Sequence, residues 1–432
     1  MARESFQISQ LAVPAVSVLI SFLAYTSQYL FLHFEDAPLT NDEVWGINCF
    51  ALCIWICYYR ACTVDPGRLP QDWEPPQTNN GSTSDAQGSQ AEASGRQRWC
   101  RKCEAFKPPR AHHCKTCQRC IPKMDHHCPW TSNCVSHFTF PHFIRFLFFA
   151  VVGMGYLETR LFLRGSILWA NRNLPSYLGP SVFQMFHLFL LIVVNSLTVF
   201  TLSILLFRSL WSLGANETTI ETWEIERHKT LVRRAKYLGG YLDGPGGVKI
   251  QIKKQEFPYD IGIWSNIKAG MGGSLNIFSW FWPLAATQSR KSGWDFPVNG
   301  FEDSDLSWPP PDPDRIPRPL RQMGNEPFTV PQQYSSAREE IQAFNRRQAE
   351  DMVRVQRRKR FHDRFGQDGY DEPASTDEDN SGAESSEPDE GEESWKNSEG
   401  ERLRDFGVDE AIEFYDEEDI PLGVLMRRRR HS

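Results

Sequence analysis

The chain has 432 residues, of which 41% are hydrophobic, and its formal net charge is −7. Residues 368–419 hold 22 acidic and 3 basic residues, so the rest of the chain is net +12, as expected beside anionic lipid headgroups or phosphate-bearing ligands. Uncharged runs of 30 and 35 residues exclude a purely soluble protein, because about 20 apolar residues are enough to cross a bilayer.

The hydropathy pattern predicts four transmembrane helices. They cover residues 11–33, 44–62, 140–163 and 182–207. The second is short, with 16 uncharged residues between Glu43 and Arg60, and fits a bilayer if its end lies at the interface. Arg145, Glu158 and Arg160 interrupt the third, and such groups usually face the interior of a helix bundle or extend to the interface.

Basic residues predict the orientation of these helices. The loop at 35–43 has no Lys or Arg, whereas 11 lie between Arg60 and Thr139. By the positive-inside rule, both termini and the long second loop are expected in the cytosol. Three arginines at 160–172 argue mildly for the opposite orientation and are outnumbered.

The remaining segments differ in composition. Residues 68–97 are polar and rich in Pro, Gly and Ser, which predicts a disordered linker. The mixed polar and aromatic segment 209–290 is expected to pack against the helices or the membrane surface, and the Pro-rich segment 291–335 is expected to be extended. Residues 336–364 predict a basic helix, either solvated or in contact with lipid headgroups, and 368–432 predict a disordered acidic tail.

The 11 cysteines fall into two groups. Four lie in or beside the second span, at 49, 53, 57 and 62. We interpret them as small packing residues, with self-acylation of Cys62 as the alternative. Seven lie between residues 100 and 134, where C-x2-C pairs are interspersed with histidines. Without a visible cleavable signal peptide, this spacing indicates thiolate–metal chemistry in a reducing compartment rather than disulfides.

Counting ligands within residues 98–139 predicts two zinc sites. A structural zinc ion takes four Cys or His ligands, so six thiols and two histidines would fill two closed sites. Neighbouring side chains of an extended segment point to opposite sides, which assigns His113 and Cys114 to different metals. One natural partition places Cys100, Cys103, His113 and Cys120 on one zinc and Cys114, Cys117, His127 and Cys134 on the other. Spacing alone leaves other pairings open.

The count keeps one of the seven cysteines free, and in this partition it is Cys128. In an extended segment, His126 lies on the same side as Cys128 and His127 faces away. A neighbouring imidazole can generate a thiolate, and the carboxylate of Asp125 can fix the imidazole tautomer and stabilise imidazolium. The alternation therefore predicts a nucleophilic cysteine beside a histidine base.

With these cysteines and histidines and the Asp-His-His-Cys sequence, the segment 98–139 resembles the cysteine-rich domain of the DHHC family of protein S-acyltransferases (palmitoyltransferases). The matching elements are C-x2-C at 100–103, Pro109, Arg110, HC-x2-C-x2-C at 113–120, Asp-His-His-Cys at 125–128, Pro129, Trp130, Asn133 and Cys134. Outside it, Asp65, Pro66 and Gly67, then Thr218, Thr219, Ile220 and Glu221, and YDIGIWSN ending at Asn266 match further family motifs. FPYDIGIWSNIKAGMGG and LSWPPPDPDR look most like the fungal endoplasmic-reticulum branch. The resemblance covers roughly residues 10–285; the departures are Ser136 and Thr139, where the family usually has Gly and Asn.

The resemblance implies an all-α polytopic membrane protein with four transmembrane helices and a cytosolic zinc-binding domain between the second and third. It implies transfer of a palmitoyl group from palmitoyl-CoA to Cys128, and from there to cysteines of membrane-associated proteins. In this scheme His126 is the general base, Asp125 orients it, Thr219 and Asn266 support the site, and both zinc ions are structural.

The implied location is the endoplasmic-reticulum membrane. The expected partners are the bilayer, palmitoyl-CoA and membrane proteins with cytosolic juxtamembrane cysteines. Nucleic-acid binding is not expected, because no recognition-helix spacing follows the cysteines. The alternative from another class is a non-enzymatic membrane scaffold that uses the zinc module and acidic tail to hold partners.

Overall fold

We describe the fold from a computed structural model. It describes residues 11–70, 73–74, 98–173, 175, 179–244, 249–300, 308–310, 312–313, 338 and 395–410. The predicted linker at 68–97 lies mostly outside the described residues, as does the predicted basic helix at 336–364.

Within the described residues, four helices are long and apolar enough to cross a membrane. They are α1 (Ala12–Leu32), α2 (Asn41–Thr63), α3 (Phe140–Ala170) and α4 (Val182–Ala215). A π-helical stretch, Phe22–Thr26, lies within α1. Both α3 and α4 extend beyond the predicted spans 140–163 and 182–207, because backbone hydrogen bonding continues past the apolar run that hydropathy detects. The first part of the predicted 209–290 segment is therefore the end of α4.

Local sequence signals set the helix ends. Thr40 and Glu43 form a capping box at the start of α2, and Ser181 and Gln184 form one at the start of α4. Asn216 ends α4 in the left-handed conformation, at φ 57°, which Asn tolerates better than most residues.

The ionisable groups of the third helix face protein partners. Arg164 is 1% exposed at its side chain and forms an ion pair with Glu43 at 2.8 Å, which ties α3 to the start of α2. Asn195 of α4 donates to the Met154 carbonyl at 3.0 Å and also to Glu158. Of the three groups expected to face the bundle interior or extend to the interface, Arg145 is buried and donates to the Trp280 carbonyl at 2.8 Å, and Glu158 accepts from Asn195. Arg160 is 36% exposed at its side chain.

The cysteine-rich segment between α2 and α3 consists of three short β-hairpins. They are β1 (Trp99–Cys100) with β2 (Ala105–Phe106), β3 (His112–Cys114) with β4 (Arg119–Ile121), and β5 (His126–Cys128) with β6 (Asn133–Val135). An all-α fold is therefore wrong for this segment. Strands of two or three residues carry too little alternation to stand out in a sequence dominated by metal-ligand spacing.

The segment after α4 contains three further helices and a fourth hairpin. These are α5 (Thr219–Tyr237), β7 (Tyr241–Asp243) with β8 (Lys249–Gln251), α6 (Ile263–Gly270) and α7 (Ile277–Phe281). A 3-10 helix, Leu403–Phe406, lies in the predicted acidic tail. The prediction of disorder across 368–432 is thus wrong for residues 395–410. There, Leu403, Phe406 and Val408 are buried, and mean composition hid this short apolar pattern.

Candidate active site and metal centres

The first group of candidate metal ligands joins two hairpins. Cys100 ends β1 and Cys103 lies in the β1–β2 turn, while His113 and Cys120 face each other across the β3–β4 pair. His113 Nδ1 lies 3.4 Å from both Cys100 Sγ and Cys103 Sγ, and 3.7 Å from Cys120 Sγ. One buried centre is therefore formed by residues from both hairpins.

The second group joins the β3–β4 hairpin to the β5–β6 hairpin. His127 Nδ1 lies 3.7 Å from Cys114 Sγ, 3.5 Å from Cys117 Sγ and 3.5 Å from Cys134 Sγ. The Cys117 and Cys134 sulfurs are 3.4 Å apart. As predicted for neighbours on a strand, His113 and Cys114 point into different groups.

The chemistry and size of both groups fit zinc. In each, the four candidate ligand atoms lie within 4.8 Å of one another. A tetrahedral ion with bonds of about 2.3 Å to sulfur and about 2.0 Å to nitrogen would separate these two ligand atoms by about 3.5 Å. The observed sulfur–nitrogen distances of 3.4–3.7 Å match this value. The two groups could therefore each hold a metal ion.

Cys128 belongs to neither metal group. It lies on β5 and is 5% exposed, and it packs into an apolar cluster with residues of α2 and α3. That cluster comprises Ile54, Cys57, Tyr58, Val135, Phe143, Phe146, Leu147 and Ala150. The sulfur thus lies where the cysteine-rich segment meets the apolar surface of the helices.

His126 and Asp125 lie beside this thiol. The Nδ1 atom of His126 is 2.6 Å from Asp125 Oδ2, and its ring makes an edge contact with Phe143 at 6.0 Å between centroids. Burial disfavours protonation of the imidazole, but the hydrogen bonds to Asp125 and Cys128 outweigh it and raise the pKa of His126 to about 10. For Cys128, burial opposes ionisation, but the hydrogen bond and positive charge of His126 lower the thiol pKa. The arrangement favours a thiolate–imidazolium pair.

Two threonines complete the surroundings of this pair. Thr219, at the start of α5, donates from its backbone N–H to Asp125 Oδ1 at 2.8 Å and from its hydroxyl to the Asp125 carbonyl at 2.5 Å. Buried Thr131 interacts with Cys128, and its hydroxyl and backbone contribute to the lowered thiol pKa. Thr131 was not predicted from the sequence, although the hydroxyl of a threonine commonly bonds to the backbone three residues earlier, which here is that of Cys128.

The cysteine-rich segment is fixed to the end of α2 by side chains that sequence analysis did not assign to this role. Asn133 donates to the carbonyls of Ala61 and Val64 at 3.0 and 2.8 Å. These carbonyls lie at the C-terminal end of α2, where the helix itself supplies no N–H group to bond to them. The Tyr58 hydroxyl donates to the Trp130 carbonyl at 2.8 Å, two residues after Cys128. The position of the Cys128 thiol is thus fixed directly to α2.

The two departures from the family pattern form the turn that leads into α3. Thr139 is the N-cap residue, and its hydroxyl donates to the Cys134 carbonyl at 2.6 Å and accepts from the Ser136 N–H at 2.9 Å. The Ser136 hydroxyl donates to the Pro66 carbonyl at 2.8 Å. Both hydroxyls are buried and bonded, so the local turn is closed by side chains.

A buried ion pair joins the same segment to α5. Arg110 donates from Nε and Nη2 to the two carboxylate oxygens of Glu221, both at 2.6 Å, and their side chains are 1% and 2% exposed. Arg110 also bonds to Asn216, and its guanidinium lies 4.6 Å from the centre of the Tyr259 ring. Burial opposes ionisation of Glu221, but Arg110 lowers the pKa of this carboxyl. The ion pair could not be predicted from spacing, because its members are 111 residues apart.

Asn266 lies apart from the Cys128 thiol, between α6 and the end of α4. It is fully buried, and it donates to the Gly214 carbonyl and to Asp260 Oδ1, both at 2.7 Å, while accepting from the Ile261 N–H at 3.1 Å. These bonds attach α6 to the end of α4, just before the turn that places Thr219 on Asp125.

Fold and site together define a polytopic membrane protein with two groups of candidate metal ligands and a thiol–imidazole–carboxylate group. Comparison with known proteins identifies the class. Residues 93–226 match the family model described as DHHC palmitoyltransferase. The chain is 65% identical to palmitoyltransferase pfa4 of Aspergillus fumigatus over 100% of both chains, and 63% identical to palmitoyltransferase pfa4 of Emericella nidulans over 99% and 98% of the two chains. It is 40% identical to palmitoyltransferase PFA4 of Gibberella zeae over 98% and 96% of the two chains.

The chain belongs to the DHHC palmitoyltransferase family, in the branch that contains the fungal PFA4 proteins. It is an acyltransferase, and the scaffold alternative is set aside.

Proposed function

We propose that the chain transfers palmitoyl groups through a thioester on Cys128. In the first step, the Cys128 thiolate attacks the thioester carbonyl of palmitoyl-CoA, the carbon–sulfur bond to coenzyme A breaks, and the departing thiolate takes the proton from His126. In the second step, a cysteine of a protein substrate loses its proton to His126 and attacks the acyl-enzyme, which regenerates the Cys128 thiolate. The observation that carries this proposal is the position of Cys128 outside both metal groups and beside His126.

Asp125 and Thr219 act in this scheme through His126. The carboxylate lies 2.6 Å from Nδ1, which holds the proton on that nitrogen and leaves the other ring nitrogen for the thiol. Thr219 fixes the carboxylate from the start of α5. Proton transfer by a positioned side chain contributes about 10²–10⁴-fold to a rate.

The apolar side of Cys128 supports a long acyl chain as the transferred group. The thiol packs with Phe146, Leu147 and Ala150, which follow one another along α3 into the membrane span. Burial of a fatty chain in apolar surroundings is worth about 0.8 kcal/mol per CH₂ group, so many methylenes supply affinity without polar contacts. Cysteines that lie close to the membrane on partner proteins are the acceptors this geometry suits.

Zinc has a structural role in the proposed enzyme. One ion would be held by Cys100, Cys103, His113 and Cys120, and the other by Cys114, Cys117, His127 and Cys134. Bound there, zinc would link the three hairpins through closed four-ligand sites, which leave no position for substrate. None of the chemical steps uses a metal.

We place both termini and the cysteine-rich segment in the cytosol of a cell, with the helices in the endoplasmic-reticulum membrane. The basic residues around the segment support the orientation, and the family branch supports the organelle. Two sequons, at Asn80 and Asn216, would then escape glycosylation. Asn216 is also buried and bonded to Arg110, while Asn80 lies outside the described residues, so a glycan on Asn80 in cells would contradict this orientation.

The proposal is tested by incubating the purified full-length protein with labelled palmitoyl-CoA. We expect the wild-type protein to acquire a hydroxylamine-labile label and Cys128→Ala to acquire none while it keeps its zinc. Cys49→Ala is the matched control, because Cys49 is exposed on α2 and lies outside the site. Equal labelling of the wild-type and Cys128→Ala proteins would exclude Cys128 as the nucleophile.

A second variant tests the role of the carboxylate. Asp125→Asn keeps the size of the side chain but removes the charge that holds the His126 proton. We expect the rate of acyl-enzyme formation to fall by about 10²-fold or more, with unchanged zinc content. An unchanged rate would mean that His126 does not need Asp125.

A further inference from the structure

Residues 395–410, called here the tail segment, lie on the cysteine-rich segment although more than 250 residues separate them in sequence. Their side chains Leu403, Phe406 and Val408 are 1%, 7% and 0% exposed. They form one apolar cluster with metal-ligand residues and with α5. Its other buried members are Cys114, Ile121, Met124, Cys134, Ile220 and Trp223. The tail segment therefore supplies part of the core around the second metal group.

Backbone hydrogen bonds attach the tail segment to the edge of β3. The Lys115 N–H donates to the Gly407 carbonyl at 2.9 Å, and the Asp409 N–H donates to the His113 carbonyl at 3.0 Å. Val408 forms an antiparallel bridge with Cys114. Addition of an extended segment to a free sheet edge is a common mode of peptide recognition, in which main-chain bonds give affinity and side-chain pockets give specificity.

The tail segment also contacts β5, the strand that carries His126 and Cys128. A β-carbon at Gly407 would lie 2.7 Å from the β-carbon of His127 and 3.5 Å from its backbone nitrogen, and Gly407 has φ +83°. Only glycine fits both the conformation and this close approach. Because His127 is a candidate metal ligand that faces away from the thiol, the tail segment lies against the back of the active-site strand.

Polar contacts extend the docking to both sides. Asp409 forms an ion pair with Lys102 at 2.8 Å, next to the first metal group. At the other end, the Glu401 carbonyl accepts from Trp223 Nε1 at 3.2 Å, and Trp395 packs edge-on against Trp223 with 4.9 Å between the ring centres. The tail segment thus spans from the β1–β2 turn to the first turns of α5.

We propose that the cysteine-rich segment has a built-in docking surface for a peptide strand, and that its occupant is the tail segment of the same chain. The surface consists of the β3 edge, the backbone of His127 and the apolar face of α5 around Trp223. By covering the second metal group, the docked segment slows the loss of metal and braces β5. The slower loss of metal rests on the zinc sites proposed above, whereas the docking of the tail segment does not depend on them.

The docking is tested by cutting the chain without removing any of it. A protease recognition sequence inserted after Ser386 in the full-length protein, with an affinity tag at the C-terminus, allows the connection to be cleaved after purification. We expect the C-terminal fragment to remain bound through size-exclusion chromatography. Leu403→Ala combined with Phe406→Ala should release most of it, whereas Arg404→Ala, an exposed neighbour, should not. Release of the fragment from the otherwise unaltered protein would overturn the proposal.

Amide hydrogen exchange tests the same contacts without a core substitution. The amides of Lys115 and Asp409 each donate across the docked interface, so we expect them to exchange at least 100-fold more slowly than in a free peptide. Exchange at the free-peptide rate at Asp409 would show that the tail segment is not docked.

Metal release separates this inference from the proposed function. We expect a chelating dye to remove one of two zinc ions at least 10-fold faster from the cleaved Leu403→Ala, Phe406→Ala protein than from the cleaved Arg404→Ala protein. If the two cleaved proteins lose zinc at equal rates although the double variant has lost its fragment, the tail segment does not slow the loss of metal from the second metal group. Absence of zinc before cleavage would reject the zinc sites, while the retained fragment would still report docking.

Discussion

Replacement of Glu221 by Gln isolates the energetic role of the buried ion pair. The substitution keeps the shape of the side chain but leaves Arg110 with its positive charge at a site where its side chain is 1% exposed. Lys123, whose ammonium lies 2.6 Å from Asn216 Oδ1, also loses a nearby negative charge. Removal of one partner from a buried pair typically costs about 3–5 kcal/mol, because an uncompensated charge remains. We therefore expect Glu221→Gln to destabilise the protein by about 3 kcal/mol.

The assay is thermal unfolding of the detergent-solubilised protein, followed together with zinc release. At about 2–4 °C per kcal/mol for a cooperative unit of roughly 150–250 residues, Tm should fall by roughly 6–12 °C. Glu104→Gln, at an exposed residue of the cysteine-rich segment that carries Arg110, is the matched control and should leave Tm within about 1–2 °C.

A double variant tests the reasoning. Arg110→Met combined with Glu221→Leu removes both charges and keeps apolar volume, so it should recover much of the stability lost in the single variant. If the Glu221→Gln protein unfolds at the same temperature as the Glu104→Gln protein, the Arg110–Glu221 ion pair does not stabilise the contact between the cysteine-rich segment and α5. If the double variant is no more stable than Glu221→Gln, the loss comes from packing and not from an unpaired charge.

Three further outcomes follow from the same geometry. Asn133→Ala should cost about 2 kcal/mol in thermal unfolding, because two carbonyls at the end of α2 lose their donor. Asn173→Ala, at an exposed residue just after α3, is the control. Tyr58→Phe should keep the fold within about 1.5 kcal/mol yet slow acyl-enzyme formation, since the bond to the Trp130 carbonyl fixes the turn after the thiol; an unchanged rate would contradict this. His127→Ala should reduce zinc measured by elemental analysis from two ions to one per chain, and retention of both would refute its role as a ligand.

Much of the site could be predicted from spacing because its chemistry is local. The segment from Asp125 to Cys128 places an acid, a base and a thiol within four residues, and alternation along a strand separates His126 from His127. Ligand counting identified eight side chains, and the structure gathers them in two groups of four. The hairpins that carry them did not stand out, since strands of two or three residues leave almost no periodic signal.

Composition misled where a short pattern was embedded in a long acidic stretch. Residues 368–419 hold 22 acidic residues, which is typical of a disordered tail, and the average conceals three apolar side chains at 403, 406 and 408. Their burial depends on a surface made by β3, β5 and α5, and no local property of the tail describes that surface.

The amino-acid sequence by itself was enough to predict four apolar helices, eight candidate metal ligands and a thiol outside that set, two residues from His126. Each is a property of composition or of spacing within a few residues. Tertiary structure alone decided that Arg110 meets Glu221, that Asn133 caps α2 and that the tail segment covers the second metal group. These contacts join residues about 70 to 300 positions apart, and their existence depends on how whole elements pack against one another.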